Sequence, residues 1–204
     1  GVFRPLSNYY PMRFEMKGET YRSVEHYAYE KLFYSLKLDD KAIEKITTTV
    51  LPVDVPVMAR RLFKKLELAE PALESKMAKL DRWRQSAMKH KLSNNEYLQQ
   101  LLLSTGDALL IDNADGDPAW TCGGSEASLQ EQMGMGRLTA EKCVGAMRGK
   151  MGGKDETVPK SLSYLTGNKT GLLLMELRTR LAGQTTSRIP LVRGEKAILG
   201  QRVD

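Results

Sequence analysis

Cysteine is nearly absent: Cys122 and Cys143 are the only two in 204 residues. Neither falls in a Cys-x-x-Cys or Cys/His spacing, which argues against a structural zinc site or a disulfide framework and favours thiols kept reduced inside a cell, in cytoplasm or nucleus. Histidine is equally scarce. His26 and His90 are too few for a conventional His-rich metal site, so no metal or other cofactor is expected. No apolar run approaches the roughly 18 residues of a membrane span, and no basic segment leading into an apolar stretch marks a secretory signal. The sequence opens at Gly1 almost inside a motif, as though a further segment preceded it. Runs of like charge are missing too: 31 Lys plus Arg against 25 Asp plus Glu leave a net +6, scattered and densest at 60–65 and 148–154. That balance favours anionic partners such as phosphates, nucleotides or nucleic acid, with no membrane partner expected.

What is present is mostly helical patterning. Residues 12–16 alternate apolar and charged side chains, Lys17-Gly18 supplies a turn, and residues 19–21 complete a short hairpin. Ser23 then caps a helix whose apolar row is Val24, Ala28 and Leu32, with Tyr29, Phe33 and Leu36 beside it. Further helices are predicted at 40–47, 56–66 and about 71–92, the last carrying a stripe of Leu73, Met77, Leu80, Trp83 and Met88. Asn94-Asn95 opens another, with Tyr97, Leu98, Leu101 and Leu102 facing inward until Gly106 ends it. Residues 108–112 read as a short buried strand, 138–148 as a helix, 149–159 as a loop and 172–181 as a final helix before an extended tail. The prediction is an α+β, predominantly helical single domain over 1–204 with a small N-terminal hairpin, residues 125–166 an insert and 183–204 a C-terminal extension.

Glu25 sits in the first turn of its helix, where backbone N–H groups and the dipole favour a carboxylate. Tyr29 and Phe33 follow at i+4 and i+8, so Glu25 shares the buried face. Burial and the helix end act in opposite directions on such a group, which suits a general base or a stabiliser of developing positive charge; the alternative is a buried structural hydrogen bond. Asn8, flanked by Tyr9 and Tyr10, offers an amide to a ribose or base edge, or simply turns the chain before Pro11. Asp117 and Trp120 put a carboxylate and an indole on one glycine-flanked loop, where a Trp can stack on a ligand ring. Trp83 lies within a helical stripe and reads equally as core. The run 167–171 offers backbone donors to a phosphate or marks a turn and cap.

Taken together these segments resemble the NADAR (NAD and ADP-ribose) family, also called YbiA-like, from the start of the chain to about Leu181. LSNYYP (6–11) is similar to the family's LSNFYP, SVEHY (23–27) to its SVEHYFQAQKF, and PVMARR (56–61) to its P-x-x-A-x-R. Trp83 matches the tryptophan of its central helix, LLLSTGDALLID (101–112) its LLxTGDAxLxE, DPAW (117–120) its D-x-x-W, and the segment from Asn168 to Leu181 its N-x-x-G-x-x-LM-x-x-R. The resemblance implies an N-glycoside hydrolase that cleaves a bond between ribose C1′ and a base or amine. Removal of ADP-ribose from ADP-ribosylated guanine in nucleic acid or nucleotide is the first expectation. Cleavage of early riboflavin-pathway intermediates, or a non-catalytic ADP-ribose-binding module, are the alternatives. It further implies Glu25 and Asp117 as catalytic carboxylates, Asn8 at the ribose, Trp120 against the ring system and Arg61 or the turn at Asn168 at phosphate, with Tyr29, Trp83 and Gly171 as further substrate-binding residues. One position departs from the pattern: the family's lysine, seven residues after the glutamate and a candidate for attack on C1′ through a Schiff base, is Leu32 here, and the nearest amine, Lys31, is kept as the candidate catalytic lysine. At about 100° per residue, Lys31 points roughly 120° away from Glu25.

Overall fold

The structure, a computed structural model, describes residues 2–112, 120–122, 131, 140–147, 167–184 and 198–199. It is α+β and mostly helical, and the chain gathers into two compact units, Asn8–Glu96 and Gly1–Ser7 with Tyr97–Asp204.

The first unit opens with an antiparallel hairpin, β1 (Phe14–Met16) and β2 (Glu19–Tyr21), in which Phe14 faces Tyr21 and Met16 faces Glu19. Lys17 and Gly18 both take positive φ, 56° and 81°. Two such residues form the tight turn whose twist matches paired strands. Ser23 ends the hairpin and caps α1 (Val24–Ser35), its hydroxyl accepting from the His26 amide. Helices α2 (Asp40–Thr47), α3 (Asp54–Lys65) and α4 (Glu70–Ser93) all pack against α1. Ala28, Leu32, Phe33, Ile46, Val55 and Ala59 are completely buried between them.

Helices α1 and α3 end by the same device. Lys37 and Glu67 turn into the left-handed region, and the amides of Leu38 and Leu68 reach back to the carbonyls of Phe33 and Phe63 at 3.2 and 3.3 Å. Each motif pairs an apolar residue after the helix with one inside its last turn. The ring centroids of Phe33 and Phe63 then stand 5.4 Å apart, which fastens the two helix ends into one core.

The second unit contains α5 (Glu96–Leu103), β3 (Ile111–Asp112), α6 (Ala140–Met147), α7 (Lys169–Gln184) and β4 (Ile198–Leu199). Strand β3 pairs parallel with β4, Ile111 against Ile198 and Asp112 against Leu199, so the expected tail returns to the buried strand. Helix α5 buries Leu98 and Leu102 fully but leaves Tyr97 58% exposed. The expectation that Tyr97 faces inward is corrected: one residue from Leu98 is about 100° round the helix, off the buried row. The predicted loop at 149–159, and the expected insert apart from Glu131 and α6, lie outside the described residues. No helix among the described residues is long and apolar enough to cross a membrane.

Candidate active site

The first turn of α1 carries Glu25, and the loop before the hairpin carries Asn8. Both are completely buried. Asn8 Nδ2 donates to Glu25 Oε1 across 2.6 Å. The second carboxylate oxygen meets Arg84 of α4, which donates from Nη2 at 2.8 Å and from Nε at 3.3 Å. Arg84 is itself only 1% exposed. Burial disfavours its charge, but the Glu25 carboxylate outweighs that effect, helped by Tyr29 and Tyr9, and the guanidinium is held charged more firmly than in water. Its carbon lies 5.6 Å from the centre of the Tyr29 ring, a cation on an aromatic face. Asn8 bonds Glu25 directly, and the residue that joins Glu25 to Tyr29 is Arg84, which the motif reading passed over.

The frame behind Glu25 is polar as well. His26 Nε2 donates to the Thr49 carbonyl and its Nδ1 accepts from the Ser23 hydroxyl, each at 2.7 Å, which assigns the neutral tautomer. Burial pushes the pKa of this imidazole below its ordinary value; the Thr49 carbonyl works the other way, and the positive charge of Arg22 adds to the lowering. The helix cap, the neighbouring helix-to-helix loop and the turn bearing Glu25 are thus one hydrogen-bonded piece.

Lys31 is placed elsewhere on α1. Its Nζ lies 3.3 Å from Glu30 and 4.0 Å from Glu19, and it stands 5.5 to 5.6 Å from the rings of Tyr21, Tyr27 and Tyr34. It makes no ion pair with Glu25. The angular argument from helix periodicity accounts for this without any distortion of the helix.

Other expected residues have positions of their own. Trp83 is half-buried and packs against the core of the first unit. Arg61 lines a separate cavity of about 490 Å³ formed by α2, α3 and the loop between them. Asp117 lies outside the described residues. In the second unit Trp120 is completely buried and its carbonyl accepts from the Thr170 amide at 3.3 Å. Asn168 is also completely buried. Its Oδ1 accepts from the Asp112 and Gly171 amides at 2.9 and 3.3 Å, and its Nδ2 donates to the Leu110 carbonyl at 3.0 Å. It ties the start of α7 to β3 and caps the helix. Gly171 serves the same junction, since a side-chain carbon there would stand 2.1 Å from the Leu110 carbonyl oxygen.

Sequence reasoning also missed Asp112, a completely buried carboxylate that accepts from the Ser7 hydroxyl at 2.9 Å. For Arg84 a sign existed. It falls four residues after Leu80 and four before Met88, so an arginine occupies a stripe otherwise apolar. Among the described residues no cluster of His, Cys, Asp and Glu is arranged to hold a metal ion.

What the Glu25 cluster offers chemically is a carboxylate of fixed orientation, beside a guanidinium and away from bulk water. Electrostatic stabilisation of a developing cation needs such a group, because it does not have to reorganise as the charge appears. The NADAR domain model matches residues 2–182. A protein of Nostoc punctiforme named N-glycosidase Npun_R5314 is 27% identical over 124 residues, which cover 61% of this chain and 75% of the relative.

Proposed function

Because the chain belongs to the NADAR domain family, we propose that it is an N-glycoside hydrolase that cleaves the bond between ribose C1′ and a base nitrogen. The observation that carries the reading is the completely buried Glu25 carboxylate, clamped by Arg84 and Asn8. As the C1′–N bond breaks, positive charge develops at C1′ and the ring oxygen. Glu25 stabilises that charge and takes a proton from the incoming water, whose oxygen bonds to C1′, while the base leaves with the bond's electron pair and then takes up that proton, which restores the Glu25 carboxylate. Arg84 keeps Glu25 ionised before the water arrives, and Asn8 fixes its rotamer. Asp117 is assigned as a second carboxylate. The N-glycosidase name of the relative supports the reaction class.

The substrate we assign is ADP-ribosylated guanine in nucleic acid or nucleotide, in keeping with the net +6 of the chain. The test is direct: the protein is incubated with an ADP-ribosylated guanine oligonucleotide and, in parallel, with a phosphorylated early riboflavin-pathway intermediate, and the ADP-ribose freed from the first or the ribose phosphate freed from the second is followed by chromatography. Turnover of the first is expected. Turnover of the second alone moves the substrate to the riboflavin alternative, and release from neither removes the hydrolase reading.

The placement of Lys31 favours one further reading. With its ammonium engaged by Glu30 among three tyrosine rings, an imine to C1′ has no support in the Glu25 cluster, which favours a chain that binds ADP-ribose without cleaving it. Tight ADP-ribose binding with no base release would select that reader.

A further inference from the structure

The cavity lined by Arg61 has its own chemistry. Its volume of about 490 Å³ is in the range of small-ligand sites. Lys45 and Arg61 contribute two cations, and among the described residues neither makes an ion pair or a side-chain hydrogen bond. Asp54 is the one carboxylate on the wall, and Val50 and Met58 supply apolar surface. The two threonine hydroxyls are already used: Thr48 donates to the Glu44 carbonyl and Thr49 to the Lys45 carbonyl, at 2.6 and 2.7 Å. The strong donors left to a ligand are therefore the ammonium and the guanidinium.

This combination selects a particular kind of molecule. A simple inorganic anion gains nothing from Asp54 or from the apolar wall. A nucleoside phosphate uses all three features, with phosphate oxygens on Arg61 and Lys45, sugar hydroxyls donating to Asp54, and a base against Val50 and Met58.

The cavity is also fixed to the candidate catalytic turn. Thr49, on its rim, accepts from His26 at 2.7 Å, and Arg22 reaches the Thr48 and Thr49 carbonyls at 3.5 Å each. His26 directly follows Glu25. We infer that the α2–α3 cavity is a nucleotide subsite, holding a phosphate-bearing part of the ligand in fixed register with Glu25. The register rests on the hydrolase reading; the binding itself does not. Two parts of the substrate carry this chemistry, the ADP moiety of ADP-ribose and a nucleotide flanking the modified base.

Calorimetric titration of the full chain with ADP and, separately, with an unmodified tetranucleotide distinguishes them. Arg61→Gln, Lys45→Gln and Asp54→Asn change exposed side chains, and far-UV circular dichroism checks that they remain folded. Loss of about tenfold or more in affinity for ADP in Arg61→Gln and Lys45→Gln assigns the cavity to the ADP moiety, and the same loss for the tetranucleotide alone assigns it to the flanking strand. Affinities for both ligands unchanged by all three substitutions, or no binding of either ligand by the parent at millimolar concentration, would overturn the proposal. Because titration needs no turnover, an inactive protein that still binds through Arg61 counts against the hydrolase alone. An active protein indifferent to all three substitutions counts against the subsite alone.

Discussion

Arg84 and Glu25, 59 residues apart in sequence, meet at 2.8 Å with side chains that are 1% and 0% exposed. An ion pair removed this far from water is held together by geometry rather than by net attraction alone, because each partner lost its hydration to enter. Asn8 on the other carboxylate oxygen and the Tyr29 ring beside the guanidinium supply part of that geometry.

Removing one partner leaves the other charge buried. Arg84→Met is expected to lower the unfolding free energy by about 3–5 kcal/mol, read from the urea midpoint. Arg84→Lys keeps the charge but loses the planar fork, and is expected to fall between the two.

The burial of His26 makes stability depend on pH. The folded-state pKa lies below the ordinary 6.5, so the unfolded chain binds the additional proton first, and its contribution is complete above about pH 6.5 and declines as pH falls toward the folded value. Urea unfolding between pH 7.5 and 5 is expected to show stability dropping toward the acid side. The slope becomes shallower in His26→Gln; an unchanged slope would disconnect His26 from the effect.

At the head of α7, Gly171→Ala pushes a methyl group against the Leu110 carbonyl, which is backbone and cannot swing away. A loss of about 1–3 kcal/mol is expected, seen as a lower thermal midpoint. Gly183 in the same helix has open space around its added carbon. Gly183→Ala is expected to be neutral or stabilising by up to about 1 kcal/mol.

Lys31 gives a prediction of the opposite kind. Lys31→Ala removes a surface-side pair with Glu30 and should leave base release within about twofold of the parent, since uniform losses of that size reflect no transition-state contact. Borohydride added during turnover should trap no adduct. An adduct present in the parent and absent from Lys31→Ala would put the amine back into the mechanism.

The hairpin, the Ser23 cap and the four helices packed in the first unit were legible because each has a local cause: a Lys17-Gly18 turn, a hydroxyl at the helix start, an apolar row of period near 3.6. The twin endings of α1 and α3 are also written locally, as LF-x-x-L-x-L at 32–38 and again at 62–68. The β3–β4 pair was not legible in this way. Two-residue strands carry no periodicity, and the pairing of Ile111 with Ile198 is a long-range choice made by packing. Within the candidate site, Glu25 and Asn8 could be named from their motifs. Arg84 carried only the sign of an arginine within an apolar stripe, and its pairing with Glu25 depends on how α4 packs on α1. For Asn168, the cap and turn reading has a physical basis in the bonds to Leu110 and Asp112.

The central claim is that the clamped Glu25 carboxylate performs the glycosidic cleavage. Single-turnover release of ADP-ribose from an ADP-ribosylated guanine oligonucleotide, compared between the parent and Glu25→Gln, tests it most directly. The amide keeps the shape of the side chain and cannot accept a proton, so the rate is expected to fall by about 10²–10⁴-fold while circular dichroism stays unchanged. A folded Glu25→Gln protein releasing ADP-ribose at the parental rate would contradict the account.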